Sequence, residues 1–69
     1  MKIEYFSDTD TLYMVFSQRE PFETKEINEN VYIDVDESGE LVAMTIEHAK
    51  ESADIANLTI LRLPQIVAA

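Results

Sequence analysis

Residues 31–48 read Val-Tyr-Ile-Asp-Val-Asp-Glu-Ser-Gly-Glu-Leu-Val-Ala-Met-Thr-Ile-Glu-His and contain Gly39, the only glycine of the 69-residue chain. Apolar residues alternate with polar ones on both sides of this glycine, which is typical of a β-hairpin with one buried face. A tight turn needs a residue that tolerates positive φ, and glycine supplies it. The stretch therefore predicts two antiparallel strands, near residues 31–36 and 41–47.

The register of this hairpin depends on where its loop is centred. A loop centred between Ser38 and Gly39 lets every apolar residue face another, pairing Val35 with Val42, Ile33 with Met44 and Val31 with Ile46. A three-residue loop instead pairs Ile33 with Ala43 and Val31 with Thr45. We favour the first register because it keeps the apolar side chains together on one face. Asp34 and Asp36 then lie on the opposite face, and we expect both to point to water.

The same alternation predicts three further strands. Residues 1–6 and 11–17 alternate on either side of a turn cluster, and a hairpin centred between Asp8 and Thr9 pairs Tyr5 with Leu12 and Ile3 with Met14. Residues 22–27 are charged and follow Pro21, which indicates an exposed edge strand. We therefore predict one small domain over residues 1–69. Its class is mainly antiparallel β (α+β), with two hairpins in a meander of four to five strands and a short C-terminal helix.

The chain changes character after His48. Residues 49–56 are rich in alanine and charge, which predicts the short helix. Residues 58–68 form an apolar tail around Pro64, and strand and helix both remain open there because short apolar runs are ambiguous. Leu58, Ile60 and Leu63 of this tail need a surface to cover them, either within the chain or on a partner.

Charge restricts the partners. Fourteen acidic residues against five basic ones give a formal net charge of −9. Such a surface repels nucleic-acid phosphates and anionic membranes, so we predict neither as a direct partner. A basic protein fits better, and we expect it to meet the acids that flank the Gly39 turn, namely Asp34, Asp36, Glu37 and Glu40. The plainer interpretation is that excess acid keeps a small protein soluble.

Size and composition favour self-association. A domain of this length buries only about 60% of the surface that its unfolded chain exposes. The chain has no cysteine, which excludes disulfides, and only one histidine, which disfavours a structural zinc site. Neither kind of cross-link is therefore expected to stabilise the small domain. We therefore predict a homo-oligomer, with a dimer favoured. The chain shows no signal peptide and no run of the ~20 apolar residues that a membrane span needs, so we expect a cytoplasmic protein.

No catalytic arrangement is apparent. His48 is the only histidine, and we expect it at the end of the apolar face, satisfied by backbone. The serines have no base placed beside them, there is no glycine-rich phosphate loop, and the acidic spacing is not that of an EF-hand. We predict a non-enzymatic interaction module without cofactor or metal. The alternative is a small ligand-binding protein or enzyme with a site at a subunit interface around His48.

Two blocks of residues also resemble a known family. The first has the pattern Tyr-x4-Asp-x-Leu-Tyr-x2-Phe and comprises Tyr5, Asp10, Leu12, Tyr13 and Phe16, and the second comprises Val31, Ile33, Asp34, Asp36, Gly39, Leu41, Val42 and Ile46. Together, over roughly residues 3–50, they resemble the small prokaryotic family catalogued as domain of unknown function 2283. The resemblance implies no established activity. It implies an association with small basic toxins of the RelE-like type and hence an antitoxin-like role.

The chain departs from that family at three positions. Phe6, Ala43 and Thr45 stand where the family usually has aspartate, glycine and glutamate. An activity that depended on that glutamate would be absent from this chain.

Overall fold

Five strands and one short helix follow one another along the chain. The structure is a computed structural model, and it describes residues 1–62 and residue 64. The elements are β1 (Lys2–Phe6), β2 (Thr11–Val15), β3 (Glu23–Asn28), β4 (Val31–Val35), β5 (Leu41–Ile46) and α1 (Ala49–Ser52). All strand pairings are antiparallel, which confirms the predicted fold class.

The strands form a single sheet in the order β1-β2-β5-β4-β3. Strands β3, β4 and β5 form a meander, and the β1–β2 hairpin joins the free side of β5 through β2. The charged strand β3 therefore lies at an edge, as predicted, and every one of its residues is exposed. Charge on an edge strand discourages pairing with other chains.

The first hairpin has the predicted register, with Tyr5 opposite Leu12 and Ile3 opposite Met14. Its four-residue turn ends at Asp10, whose φ of 54° lies in the left-handed region. Aspartate tolerates this region better than most residues because its short polar side chain can hydrogen-bond locally.

The Gly39 hairpin combines both registers that were considered. Away from the turn, Ile33 faces Met44 and Val31 faces Ile46, as we favoured. At the turn, the backbone N–H of Asp36 donates to the Glu40 carbonyl and Val35 faces Leu41, so the loop has three residues. The predicted pairing of Val35 with Val42 is therefore wrong.

A β-bulge reconciles the two ends of this hairpin. The pairing shifts between Asp34, which faces Ala43, and Val35, which faces Leu41, so that Val42 is the extra residue. A bulge of one residue offsets a loop that is one residue longer than expected, because each changes the register by one. Gly39, with φ of 85°, occupies the left-handed position that such a three-residue loop requires.

The fully buried core is small. Among the described residues it consists of Val35, Val42, Ala43 and Ala49, and none of the large side chains is fully buried. Three of these four lie at the bulged end of the β4–β5 hairpin. The other apolar residues on the sheet are half-buried or exposed, because a single sheet leaves each of its faces uncovered unless another layer packs on it.

Helix α1 is shorter than the predicted residues 49–56. Its four residues end where Ala53 becomes extended, and a helix of one turn depends on tertiary contacts because its nucleation is unfavourable. Of the predicted apolar tail, residue 63 and residues 65–68 lie outside the described residues.

Candidate interaction surface

One face of the sheet, which we call the apolar face, carries almost no charge. Residues directly opposite each other in an antiparallel sheet share a face, so the strand pairings define rows that cross the sheet. One row is Ile3, Met14, Met44, Ile33 and Lys25, and the other is Tyr5, Leu12, Ile46, Val31 and Asn28. Lys25, on the edge strand, is the single charged residue of these two rows.

Within the described part of the chain, the segment that follows α1 covers one end of the apolar face. An apolar groove of about 140 Å³ lies between this segment and the first two strands, and its lining includes Ile3, Leu12, Met14, Ile55 and Leu58. Ile55 is half-buried against the sheet. Farther along, Leu58 is 69% exposed and Ile60 is 55% exposed. The third tail residue that we predicted as a contact, Leu63, lies outside the described residues.

The four acids predicted to meet a partner differ in their surroundings. The Asp36 carboxylate accepts backbone hydrogen bonds from Ser38 and Glu40 through Oδ1, each at 2.9 Å, and its side chain is only 14% exposed. Asp34 is also half-buried, and its Oδ1 accepts a hydrogen bond from the Thr24 hydroxyl at 2.6 Å. Our expectation that both aspartates point to water is therefore wrong, since each closes a local structure.

The other two acids, Glu37 and Glu40, are exposed on the same hairpin and accessible to a partner.

Sequence reasoning missed an ion pair at this hairpin. Arg19, in the β2–β3 connection, places Nε 2.8 Å from Asp36 Oδ2 and donates from its guanidinium to the Leu41 carbonyl at 3.1 Å. The connection thereby holds the loop on which Glu37 lies, and a cleft of about 420 Å³ opens between them beside the exposed Phe22. The separation of Arg19 from Asp36 along the chain left no local pattern that could have indicated the pair.

Sequence reasoning also missed the hydrogen bonds that hold α1 against the first hairpin. The Tyr5 hydroxyl donates to Asp10 Oδ1 at 2.7 Å, the Lys50 backbone N–H lies 3.3 Å from the same oxygen, and the Ala49 N–H donates to the Asp10 carbonyl at 2.9 Å. The hydrogen bond to Asp10, loss of hydration and the Asp10 charge together raise the pKa of Tyr5. Tyr5 and Asp10 belong to the first block of the family resemblance, so the pattern contained a signal for this contact.

His48 has a different environment from the one predicted. It is exposed, has a left-handed backbone with φ of 51°, and places Nδ1 3.0 Å from the side-chain oxygen of Asn30 rather than against backbone. Glu29 and Glu51 lie with it around a shallow cavity of about 310 Å³. Within residues 1–62 and 64, no group of three or more His, Cys, Asp or Glu residues is arranged to hold a metal ion. The alternative of a ligand or enzyme site around His48 stays a prediction.

None of the helices in the described part of the chain has the length and apolarity that a membrane crossing requires.

The fold and this surface define a small, acidic, antiparallel β domain whose apolar face is covered only at one end by the residues that the structure describes. A family model described as protein of unknown function (DUF2283) matches residues 2–50, which is most of the chain. The protein therefore belongs to this family, and the resemblance drawn from the two sequence blocks is confirmed. The chain matches no curated protein and no solved structure at a significant level.

Proposed function

We propose that this protein is a non-enzymatic, cytoplasmic interaction module that self-associates through its apolar face. The observation that supports this proposal is the contrast between the small core and the extended apolar face, whose side chains are half-buried or exposed in a single chain. A sheet that is apolar on one face gains stability when a second layer covers it. Of the residues after α1 that the structure describes, those that line the apolar groove cover one end of the face, and a second copy is the simplest cover for the rest.

The size of the interface requires the apolar tail to take part. Five strands about 4.8 Å apart and five residues about 3.3 Å apart give the sheet face a footprint of roughly 24 by 16 Å. A standard interface buries about 800 Å² on each partner, which exceeds this footprint. The exposed side chains Leu58, Ile60 and Leu61 adjoin the covered end of the face and supply further apolar surface.

Charge is compatible with this arrangement. Two copies of a chain with a net charge of −9 repel each other, but the two apolar rows contain only Lys25 as a charged residue. The repulsion therefore acts at long range and is screened by salt, whereas apolar contact is not weakened by screening. Self-association through this face should tighten as the salt concentration rises.

The mass of the protein in solution tests the proposal. We expect the wild type to sediment at twice the 7.9 kDa mass of the chain, and Leu58→Glu to sediment as a monomer. Phe22→Glu is the matched control, because Phe22 is 68% exposed, nearly the same as Leu58, but lies on the β2–β3 connection. A wild type that stays monomeric at micromolar concentration, or a control that dissociates equally, contradicts the proposal.

A more specific form of the proposal is an antitoxin-like role with a small basic RelE-like toxin as partner. Its support is the net charge of −9 and the family resemblance. Charge complementarity accelerates the encounter of an acidic protein with a basic one and makes it dependent on salt. Affinity capture from the native cell extract at low and high salt tests this form, and recovery of no basic protein at either salt contradicts it.

A further inference from the structure

The face of the sheet opposite the apolar face carries a row of five residues that crosses every strand. Glu4 faces Tyr13, Tyr13 faces Thr45, Thr45 faces Tyr32, and Tyr32 faces Glu26. Because directly opposite residues share a face, these five side chains stand side by side. The row is symmetric in type, with a threonine at the centre, a tyrosine on each side of it and a glutamate at each end. We call it the tyrosine row.

We call the space above Thr45, between the side chains of Tyr13 and Tyr32, the slot; at its edge the Tyr32 hydroxyl donates to the Glu29 carbonyl at 3.4 Å. Tyr13 and Tyr32 are separated by one strand, so their Cα atoms lie about 10 Å apart. Thr45 between them is short and forms the floor of the slot. A cation midway between the rings would lie about 5 Å from each, which is within the ~6 Å over which an aromatic face attracts a cation. Both tyrosines are half-buried, so their rings are accessible from one side.

The charges around the slot are predominantly negative at its Tyr32 end. Loss of hydration and the carboxylates of Glu47, Glu26 and Glu29 raise the pKa of Tyr32, which reports a negative potential at that ring. At the other end Lys2 lies 3.5 Å from Glu4 and offsets its charge. The attraction for a cation is therefore strongest beside Tyr32 and Glu26.

We infer that the tyrosine row binds an arginine side chain of a basic partner protein in the slot between Tyr13 and Tyr32. Arginine fits better than lysine because its planar guanidinium stacks on aromatic faces and presents several N–H donors. Seated in the slot, it has the Thr45 hydroxyl below it and the Glu26 carboxylate beside it as acceptors. The inference rests on the proposed role as an interaction module and assigns the basic partner to the face that self-association leaves free.

The test is a titration of the full-length, ¹⁵N-labelled protein with a short capped arginine peptide, followed by amide chemical shifts. We expect shifts that centre on Tyr13, Tyr32 and Thr45. The same peptide with citrulline in place of arginine is the matched ligand control, because citrulline has nearly the same shape without the charge. It should produce no such shifts.

Variants of the protein distinguish binding of arginine in the slot from non-specific attraction to the acidic surface. Glu26→Gln and Tyr32→Leu should each weaken binding about fivefold, the effect of losing one charge or one cation–π contact. Glu20→Gln removes the same charge from the exposed β2–β3 connection and should leave binding unchanged. Tyr32→Phe retains the ring and should bind within about twofold of the wild type, which distinguishes the ring's role from loss of folding in the leucine variant.

Two results overturn the inference. One is an equal loss of binding in Glu20→Gln and Glu26→Gln, and the other is a set of shifts centred on the Gly39 hairpin. Leu58→Glu should bind the peptide as the wild type does, since it alters only the self-association surface. A failure of self-association therefore leaves this test intact, and a failure of peptide binding leaves the measured mass unaffected.

Discussion

Replacement of Gly39 isolates the cost of a single backbone conformation. Gly39 has φ of 85°, and a Cβ placed on it would meet no atom within 4 Å. Gly39→Ala therefore introduces no clash, and its effect comes from the backbone alone. Non-glycine residues adopt the left-handed region at a cost of roughly 1–2 kcal/mol. Against this, alanine reduces the conformational freedom of the unfolded chain, which is worth about 0.4–1 kcal/mol.

The difference predicts that Gly39→Ala lowers the free energy of unfolding by about 1 kcal/mol. For a domain of this length, that corresponds to a fall in Tm of about 4–8 °C. Gly39→Asn should cost less than half as much, because asparagine visits the left-handed region more readily. Urea denaturation followed by circular dichroism measures both variants, at one fixed protein concentration because the proposed self-association would add to stability.

Two outcomes would refute this reasoning. A neutral or stabilising Gly39→Ala would mean that the loop does not require positive φ at this position. Equal losses of more than about 3 kcal/mol in the alanine and asparagine variants would mean that a side chain collides there, contrary to the open space around Gly39.

Two further predictions concern the bulge and the contact between Tyr5 and Asp10. Val42, the extra residue of the bulge, is 3% exposed, so Val42→Ala should reduce the free energy of unfolding by about 2 kcal/mol through lost burial and a cavity. Leu41→Ala, at the more exposed neighbouring position, should reduce it by less than about 1 kcal/mol in the same urea titration, and equal losses contradict the assigned register. The raised pKa of Tyr5 means that above the ordinary tyrosine pKa the folded state holds more protons than the unfolded state, so stability is lost as pH rises through the raised value. Tyr5→Phe should therefore flatten the alkaline decline of the unfolding free energy above about pH 10, the ordinary tyrosine pKa, and an unchanged slope contradicts the hydrogen bond to Asp10.

The strand pattern was predictable because each strand has one apolar face. Alternation located all five strands to within one or two residues and paired Tyr5 with Leu12 and Ile33 with Met44 correctly. The turn at Gly39 was misjudged because a three-residue loop and a compensating bulge leave the distant pairs unchanged. Matching apolar residues across the hairpin cannot detect two one-residue register shifts in opposite directions. Their trace in the structure is Val42, which is buried and has no partner on β4.

The candidate surfaces were predictable only in part. The exposed positions of Leu58, Ile60, Glu37 and Glu40 agree with what their composition indicated. The internal use of Asp36 was not predictable, because its partner Arg19 lies in an irregular connection whose course no periodicity describes.

The tyrosine row was also not predictable from the sequence. Tyr13 and Tyr32 become neighbours across Thr45 only through the strand order β1-β2-β5-β4-β3, and no local pattern reveals that order.

That strand order also sets the sequence of events when the chain is made. Among the strands that the structure describes, the central strand β5 is the last to be synthesised, and its pairs with β2 join residues 28 to 34 positions apart. Until β5 is available, the β1–β2 hairpin and β4 each present an unsatisfied edge, and an isolated hairpin is at best marginally stable. Long-range pairing of this kind slows folding. The sheet is therefore complete only when β5 pairs with β2 on one side and β4 on the other. Damage to β5 leaves the β1–β2 hairpin and the β3–β4 hairpin without a shared partner.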